Sequence, residues 1–388
     1  MMNIAPEIRY IGVDDTDIDL FESQYVVPNG MSYNSYLIVD DKIAIMDTAD
    51  RRKSAEWWHN LETALEGRTP DYLVVHHMEP DHAANLAAVL EKYPALQVVA
   101  SAKAVQMMPQ FFEDADFTGR TLAVAEGDKL ELGKCSLQFF MAPMVHWPEV
   151  MVSYEAHNRV LFSADGFGKF GALAHEEDWA CEARRYYFNI CGKYGNQVQM
   201  LLKKAATLDI ACICPLHGPI LKENLGYYIN LYDIWSKYEV ETPGVFIAYA
   251  SIHGGTAAVA QLMADLLKAK GAPKVSLCDL TRDDMAEAVE DAFRMSTLLL
   301  AASSYDAGVF PPMHDFLHHL QIKGYQKRTV GMIENGSWAP SAGRTMKAML
   351  EPMKEITLIE PVVTIKSRMK QTDRPALEAL ADKLVQSC

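Results

Sequence analysis

Two α/β domains in tandem are what this chain predicts, and three observations carry that expectation. The chain is 388 residues long, more than one ordinary hydrophobic core accommodates. Through its first part, apolar strands alternate with amphipathic helices, and candidate ligands recur where strands end. The remainder holds five near-continuous apolar strands, each followed by a helix-like segment. Composition narrows the class further. With 49% hydrophobic and 22% charged residues the chain is globular, and a formal charge of -15 argues against a nucleic-acid surface. No apolar run reaches the roughly 18 to 20 residues that span a bilayer. The start, Met1-Met2-Asn3-Ile4-Ala5-Pro6-Glu7, lacks a basic-then-apolar signal, so a cytoplasmic protein that makes no membrane contact is expected. Cys135, Cys181, Cys191, Cys212, Cys214, Cys278 and Cys388 are scattered without a Cys-x-x-Cys pair, which suggests neither a disulfide framework nor a thiolate zinc knuckle.

Taken in order, the first stretch is β-rich. Tyr36 to Val39 and Lys42 to Met46 form a hairpin across Asp40-Asp41, and an amphipathic helix follows Asp47-Thr48-Ala49-Asp50 to about Leu65. Leu73-Val74-Val75 is a buried strand, and Ala83 to Tyr93 a helix stopped by Pro94. Leu96 to Ala100 is a strand and Ala102 to Phe112 a helix. Thr121 to Val124, Lys129 to Leu132 and Ser136 to Met141 are short strands leading to His146-Trp147-Pro148. Met151 to Tyr154 and Arg159 to Phe162 make a second hairpin across His157-Asn158 that ends at Ser163-Ala164-Asp165-Gly166. One long helical segment, Trp179 to Ala206, precedes the strand Ile210 to Cys214 and the loop Pro215-Leu216-His217-Gly218.

The chemistry concentrates between His77 and His82. Two imidazoles and two carboxylates, His77, Glu79, Asp81 and His82, crowd a strand-to-helix loop with Pro80 at the first helical turn. Lone-pair donors packed this closely are costly to hold unless a cation neutralises them. His146, Asp165 and His217 each stand just after an apolar strand, and any one alone reads as an ordinary loop polar group. Together the seven are too many for one ion and suit two ions sharing a carboxylate, with Asp165 the natural bridge. Cys212-x-Cys214-x-x-His217 offers a rival thiolate site, but alternate positions on an apolar strand point the same way and cysteine there is a small buried hydrophobe.

The second domain begins near Thr242-Pro243-Gly244, giving domains over 1–242 and 243–388. Val245 to Ala250, Lys274 to Cys278, Leu298 to Ala302, Thr329 to Ile333 and Ile356 to Ile359 predict a doubly wound parallel sheet whose crevice lies beyond the strand ends. Three loops occupy those ends: Ser251-Ile252-His253-Gly254-Gly255-Thr256, Ser303-Ser304-Tyr305-Asp306-Ala307-Gly308 and Glu334-Asn335-Gly336-Ser337-Trp338-Ala339. The first couples hydroxyls and glycines to a helix N-terminus, which makes a phosphate cradle. The others add small polar groups and one aromatic each, suited to a flat ring.

At this point the residues resemble a known family. The pattern His77-x-Glu79-x-Asp81-His82, then His146-Trp147-Pro148, Phe162-Ser163-Ala164-Asp165-Gly166-Phe167-Gly168 and His217-Gly218, is similar to the metallo-β-lactamase-like αββα domain of flavodiiron proteins (A-type flavoproteins). Hydrolases of that superfamily usually carry His where this chain has Glu79 and bind zinc; a carboxylate there makes the site harder and favours iron. The resemblance implies one iron at His77, Glu79 and His146, another at Asp81, His82 and His217, and Asp165 between them. His76 falls outside the pattern and stands behind the ligands. The three later loops resemble those of flavodoxins, which implies FMN contacts from Ser251, Ile252, His253, Gly254, Gly255, Thr256, Ser303, Ser304, Tyr305, Asp306, Gly308, Asn335, Gly336, Ser337, Trp338 and Ala339. The family pattern usually has a polar residue such as Asn where this chain has Gly255.

The resemblance implies FMN-relayed reduction of O2 to water or NO to N2O, a head-to-tail homodimer or homotetramer, and an external donor: rubredoxin, a reduced deazaflavin or a nicotinamide-linked reductase. The chain ends at Gln386-Ser387-Cys388 without the paired Cys-x-x-Cys of a fused rubredoxin, so the two-domain form is expected. Tyr25 and Tyr33 are candidate pocket liners, or packing residues. Two other classes stay open: a zinc hydrolase of the metallo-β-lactamase superfamily fused to a flavodoxin, and a flavodoxin-type electron carrier with a metal-free first domain.

Overall fold

The computed structural model describes residues 2–175 and 178–388. Internal contacts divide the chain into two units, Met1–Tyr187 with Asn196–Asp233, and Phe188–Gly195 with Ile234–Cys388.

The first unit is built on two sheets. One runs Asn3–Ala5, Ile8–Tyr10, Tyr36–Val39, Ile43–Met46, Tyr72–Val75, Gln97–Ser101, Thr121–Val124. The other runs Lys129–Glu131, Ser136–Met141, Met151–Glu155, Val160–Phe162, Cys212–Cys214. Residues from both sheets, among them Ile38, Val74 and Val99 from the first and Leu137, Phe139, Phe162 and Cys214 from the second, form one buried cluster, so the sheets pack face to face. Tyr36–Val39 and Ile43–Met46 pair antiparallel as the hairpin predicts, and Ile43–Met46 then runs parallel to Tyr72–Val75. In the second sheet, antiparallel hairpins give way to a parallel pair that sets Phe162 opposite Cys214. The segments after Val75, Met141, Phe162 and Cys214 are the ones that carry the candidate ligands, and the Phe162–Cys214 register brings the last two to one sheet edge.

Two predicted helices are interrupted. The first breaks into Pro80–Ala83 and Leu86–Lys92. At the break, Asn85 turns its side-chain amide to the Ala49 carbonyl at 2.8 Å, an alternative to helix bonding that asparagine readily takes. The second divides into the α-helix Trp179–Tyr186, a π-helical Tyr187–Cys191, a 3-10 turn Gly192–Tyr194 and the α-helix Gly195–Ala205. A Cβ at Gly195 would lie 2.3 Å from the Ser236 carbonyl. The Tyr238 hydroxyl enters there, donating to the Gly192 carbonyl at 2.7 Å and accepting from the Gly195 N–H at 3.2 Å, so regular helix bonding yields to it.

The second unit holds the parallel sheet Val275–Asp279, Thr242–Ala250, Met295–Tyr305, Arg328–Asn335, Ile356–Leu358, the flavodoxin-like order. On one face Val245, Ile247, Leu299 and Ile333 meet Val259 and Met263 of helix Gly255–Ala269 and Leu377 and Leu380 of helix Arg374–Gln386. On the other, Phe246 packs edge-on against Phe316 of helix Pro311–Ile322. The predicted last strand stops at Leu358, and the chain rejoins the sheet as Val363–Ile365, which pairs with Ile333 to Asn335. Pro361 lies between the two pieces and has no N–H for the ladder. None of the described helices is long and apolar enough to cross a membrane.

Candidate metal centre

The loop after Tyr72–Val75 delivers His77 and Glu79, and the short helix Pro80–Ala83 delivers Asp81 and His82. His146 arrives from the loop between Ser136–Met141 and Met151–Glu155, Asp165 from the turn after Val160–Phe162, and His217 from the turn after Cys212–Cys214. The structure draws these seven side chains into two adjoining groups.

In the first, His77 Nε2 lies 3.0 Å from Glu79 Oε2 and 3.3 Å from His146 Nε2, and His146 Nε2 lies 3.1 Å from Glu79 Oε2. Asp165 Oδ2 stands 3.3 Å from His77 Nε2 and 3.2 Å from His146 Nε2. In the second group His82 Nε2 and His217 Nε2 are 3.0 Å apart, and each is 3.2 Å from Asp81 Oδ2. The other oxygen of Asp165, Oδ1, faces this group at 3.7 Å from His217 and 4.0 Å from His82. Donor atoms about 2.1 Å from a small cation sit about 3.0 to 3.4 Å from one another in octahedral or tetrahedral arrangement. Both groups have that edge length, and Asp165 offers one oxygen to each.

Tautomers follow from what stands behind the rings. His217 Nδ1 is 2.7 Å from the Ser32 carbonyl, which can only accept, so Nδ1 carries the proton and Nε2 presents a lone pair. His77 Nδ1 likewise donates to Glu149 Oε1 at 2.8 Å. Lone pairs at 3.0 Å from carboxylate oxygens repel unless a proton or a cation lies between. Among the described residues, both oxygens of Asp81 and of Asp165 are buried without a hydrogen-bond partner, as is His82 Nδ1.

The charge balance within the pocket points the same way. Burial opposes charging His77, yet Asp165, Glu149 and Glu79 outweigh it and hold the imidazole well above its ordinary range. His146, also buried, is pushed up to about 9 by Asp165 and Glu79. Asp81, against its own burial, is held well below the usual carboxylate range by His82 and His217, and Asp165 by His77 and His146. The donor set of imidazoles and carboxylates fits two hard-to-borderline metal ions.

The neighbouring residues sort themselves. His76 turns away: Nδ1 meets Asp47 Oδ2 at 2.5 Å and Nε2 meets Ser153 Oγ at 2.7 Å. Tyr33 lines the second group, its ring 6.3 Å from His82 and 6.0 Å from His217, whereas Tyr25 packs on Phe170. Cys212 and Cys214 lie in the core between the sheets with their sulfurs 3.8 Å apart and join neither group. Two residues near the site went unread in the sequence. Glu149 looks there like a loop carboxylate, and Ser32 contributes mainly a carbonyl, for which no residue type is a signal.

In the second unit the three loops after Thr242–Ala250, Met295–Tyr305 and Arg328–Asn335 converge. Gly254 is left-handed (φ 84°), and its N–H donates to Ser251 Oγ at 3.1 Å as the chain enters helix Gly255–Ala269. Thr256 Oγ1 is 3.0 Å from Ser303 Oγ, and Asn335 Nδ2 reaches Thr256 at 3.3 Å. Ser304 Oγ is spent on accepting from Ser341 and Ala342 N–H, fixing the start of helix Ala342–Leu350. Ile252, Tyr305 and Trp338 are exposed, the last to 92%, an apolar rim over a cradle of backbone and hydroxyl groups. A fourth loop joins them unforeseen: Asn335 Nδ2 donates to the Ser367 carbonyl at 2.9 Å, and Ser367 N–H returns to Asn335 Oδ1. It also explains Gly255, where a Cβ would stand 2.6 Å from that carbonyl.

Comparison with known proteins places this geometry. A family model described as ODP family beta lactamase matches residues 31–218. A nitric oxide reductase of Moorella thermoacetica is 28% identical over 93% of this chain and 92% of its own length. A putative diflavin flavoprotein of Synechocystis is 28% identical over 98% of the chain, which spans 66% of that longer protein. Among solved structures, rubredoxin oxygen:oxidoreductase of Desulfovibrio gigas superposes with a TM-score of 0.93 over 99% of this chain and 98% of its own, at 23% identity, which speaks for the fold. A flavoprotein of Thermotoga maritima, 26% identical, superposes with a TM-score of 0.87 over 98% and 96%.

Proposed function

The chain belongs to the flavodiiron proteins and is an oxidoreductase of that type, and on that premise we propose that it reduces O2 to water, NO to N2O, or both, with electrons relayed by FMN. The observation that carries this reading is the carboxylate Glu79 inside a double cage whose two halves share Asp165. Residues 1–242 would serve the metals and 243–388 the flavin.

His77, Glu79 and His146 would hold one iron, Asp81, His82 and His217 the other, with Asp165 between; FMN would lie against the loops at 251–256, 303–308 and 334–339. Bound there, the flavin and the iron pair supply stored electrons and open coordination positions for a small oxidant. The chain's own part is positional. Glu149 and the Ser32 carbonyl keep the Nδ1 protons of His77 and His217, so that both Nε2 atoms face inward. Tyr33, Phe21 and Trp147 wall the pocket with rings set edge-on to His217 and His77, which limits water. Asn335 and Thr256 tie the cradle together through side-chain hydrogen bonds, so the loops meet the flavin pre-formed. Electrons would come from rubredoxin, a reduced deazaflavin or a nicotinamide-linked reductase, and the working unit would be a head-to-tail homodimer or a homotetramer.

The test is anaerobic reduction of the purified protein followed by separate O2 and NO consumption, with iron, zinc and FMN measured on the same sample. Two irons and one flavin per chain with consumption of either gas is the expected result. Zinc in the pocket with ester or lactam cleavage, or flavin reduction without gas consumption, would refute the reading.

A further inference from the structure

The two metal positions are matched in their nearest donors and unmatched one layer out. Each has two imidazoles, one carboxylate of its own and one oxygen of Asp165. Behind His217 stands a neutral acceptor, the Ser32 carbonyl at 2.7 Å; His82 Nδ1 has no hydrogen-bond partner among the described residues, and Asp47 acts on that ring through its charge alone. Behind His77 stands a carboxylate, Glu149, only 1% exposed.

That carboxylate is fixed rather than incidental. Its Oε1 accepts from His77 Nδ1 at 2.8 Å and from the Met78 N–H at 2.9 Å. Its own carbonyl accepts from Ser101 Oγ at 2.7 Å, and the same hydroxyl caps helix Ala102–Phe111 through the Ala104 N–H. Oε2 is buried without a donor, and among the described residues His77 is the charged partner of this side chain. With two N–H groups aimed at one oxygen, Glu149 presents a carboxylate acceptor in the interior, directly behind one ligand ring. A carboxylate in that position draws the Nδ1 proton and makes the imidazole a stronger donor, and its charge favours the more highly charged state of an ion on the far side of the ring.

Resting on the diiron reading above, we propose that Glu149 is a positioning residue that makes the two irons unequal. It would favour the more highly charged state of an ion held by His77, Glu79 and His146, so that an ion held by Asp81, His82 and His217 would be the more easily reduced of the two and the other would have the lower potential.

The experiment uses the iron-loaded, FMN-loaded full chain. Glu149→Gln keeps the volume and an acceptor oxygen and removes the charge. Anaerobic redox titration, followed by electron paramagnetic resonance of the half-reduced pair and by Mössbauer spectra, reads both couples. The variant should raise the lower couple more than the upper one. The constant for forming the half-reduced pair should fall at least about tenfold, equivalent to 59 mV of separation for a one-electron couple, while the flavin couples stay unchanged. Couples that do not move, or that move together, with both irons present would overturn the proposal. If the variant loses iron, anomalous diffraction at the iron edge decides: depletion at the Glu79 position supports it, and prior depletion at the Asp81 position overturns it. A wild-type protein with no coupled-iron signal would instead refute the diiron reading itself.

Discussion

The candidate metal pocket and the proposed flavin cradle pose opposite problems. In the first unit the functional groups are charged and sunk in the interior: His77, His82, His217 and Asp165 are each at most 1% exposed. Such a pocket is electrostatically incomplete by itself, and burial makes each unneutralised group costly. In the second unit the groups are backbone amides, hydroxyls and one amide side chain, bonded to each other and exposed at their tips. That site can stand empty without penalty. The lesson is that the metal pocket should depend on its occupant for stability, while the cradle should be largely indifferent to its own.

The strongest attempt to break the contrast is Asp165→Ala. It should remove iron from both positions and cost more than the ten- to hundredfold that outer partners of a metal typically cost, with FMN still bound at full occupancy. Normal iron content with retained O2 or NO turnover in that variant would dissolve the bridge.

A second probe is pH. Against its burial, Asp165 and Glu79 push the His146 imidazole up to about 9, above the roughly 6.5 of an unfolded chain, so once metal is stripped this group should stabilise the fold fully below that lower value. The contribution, on the order of 3 kcal/mol, is lost as pH rises through about 9. Thermal unfolding of metal-free protein should therefore fall from pH 6.5 toward 9.5 more steeply than that of iron-loaded protein. Parallel curves would mean that cation and proton do not share the pocket.

Smaller effects belong to the cradle. Gly255→Ala places a Cβ 2.6 Å from the Ser367 carbonyl and should weaken FMN about tenfold, roughly 1.4 kcal/mol. Iron content should not change; equilibrium titration of apoprotein with FMN measures the first and metal analysis the second. Ser251→Ala removes the acceptor for the Gly254 N–H and should cost about 1 kcal/mol of flavin affinity. Unchanged affinity there would show that this turn is held by its backbone alone.

What could be read in advance differed between the two regions for the same physical reason. The proposed metal ligands would act through side chains, so His77, Glu79, Asp81 and His82 stand out by crowding, and His146, Asp165 and His217 by recurring after apolar strands. The proposed flavin loops would act through the backbone. Their places at the ends of parallel strands were legible from Val245 to Ala250, Leu298 to Ala302 and Thr329 to Ile333, but the Ser367 loop was not, because the strand before it, Val363–Ile365, is short and follows Pro361. The interruptions at Asn85 and at Tyr187–Cys191 escaped as well, since partners distant in sequence, Ala49 for the first and Tyr238 beside the second, redirect the chain there.

By itself, then, the linear order of residues determined the two α/β architectures and the chemical character of the metal pocket. Apolar periodicity and donor side chains are local properties that need no neighbour to be recognised. Only the folded chain decided which oxygen of Asp165 faces which group, which nitrogen of His77 and His217 points inward, and that Glu149 rather than Asp47 stands behind a ligand. Those are matters of distance and direction at the 3 Å scale of a hydrogen bond, set where strands far apart in sequence end at a common edge.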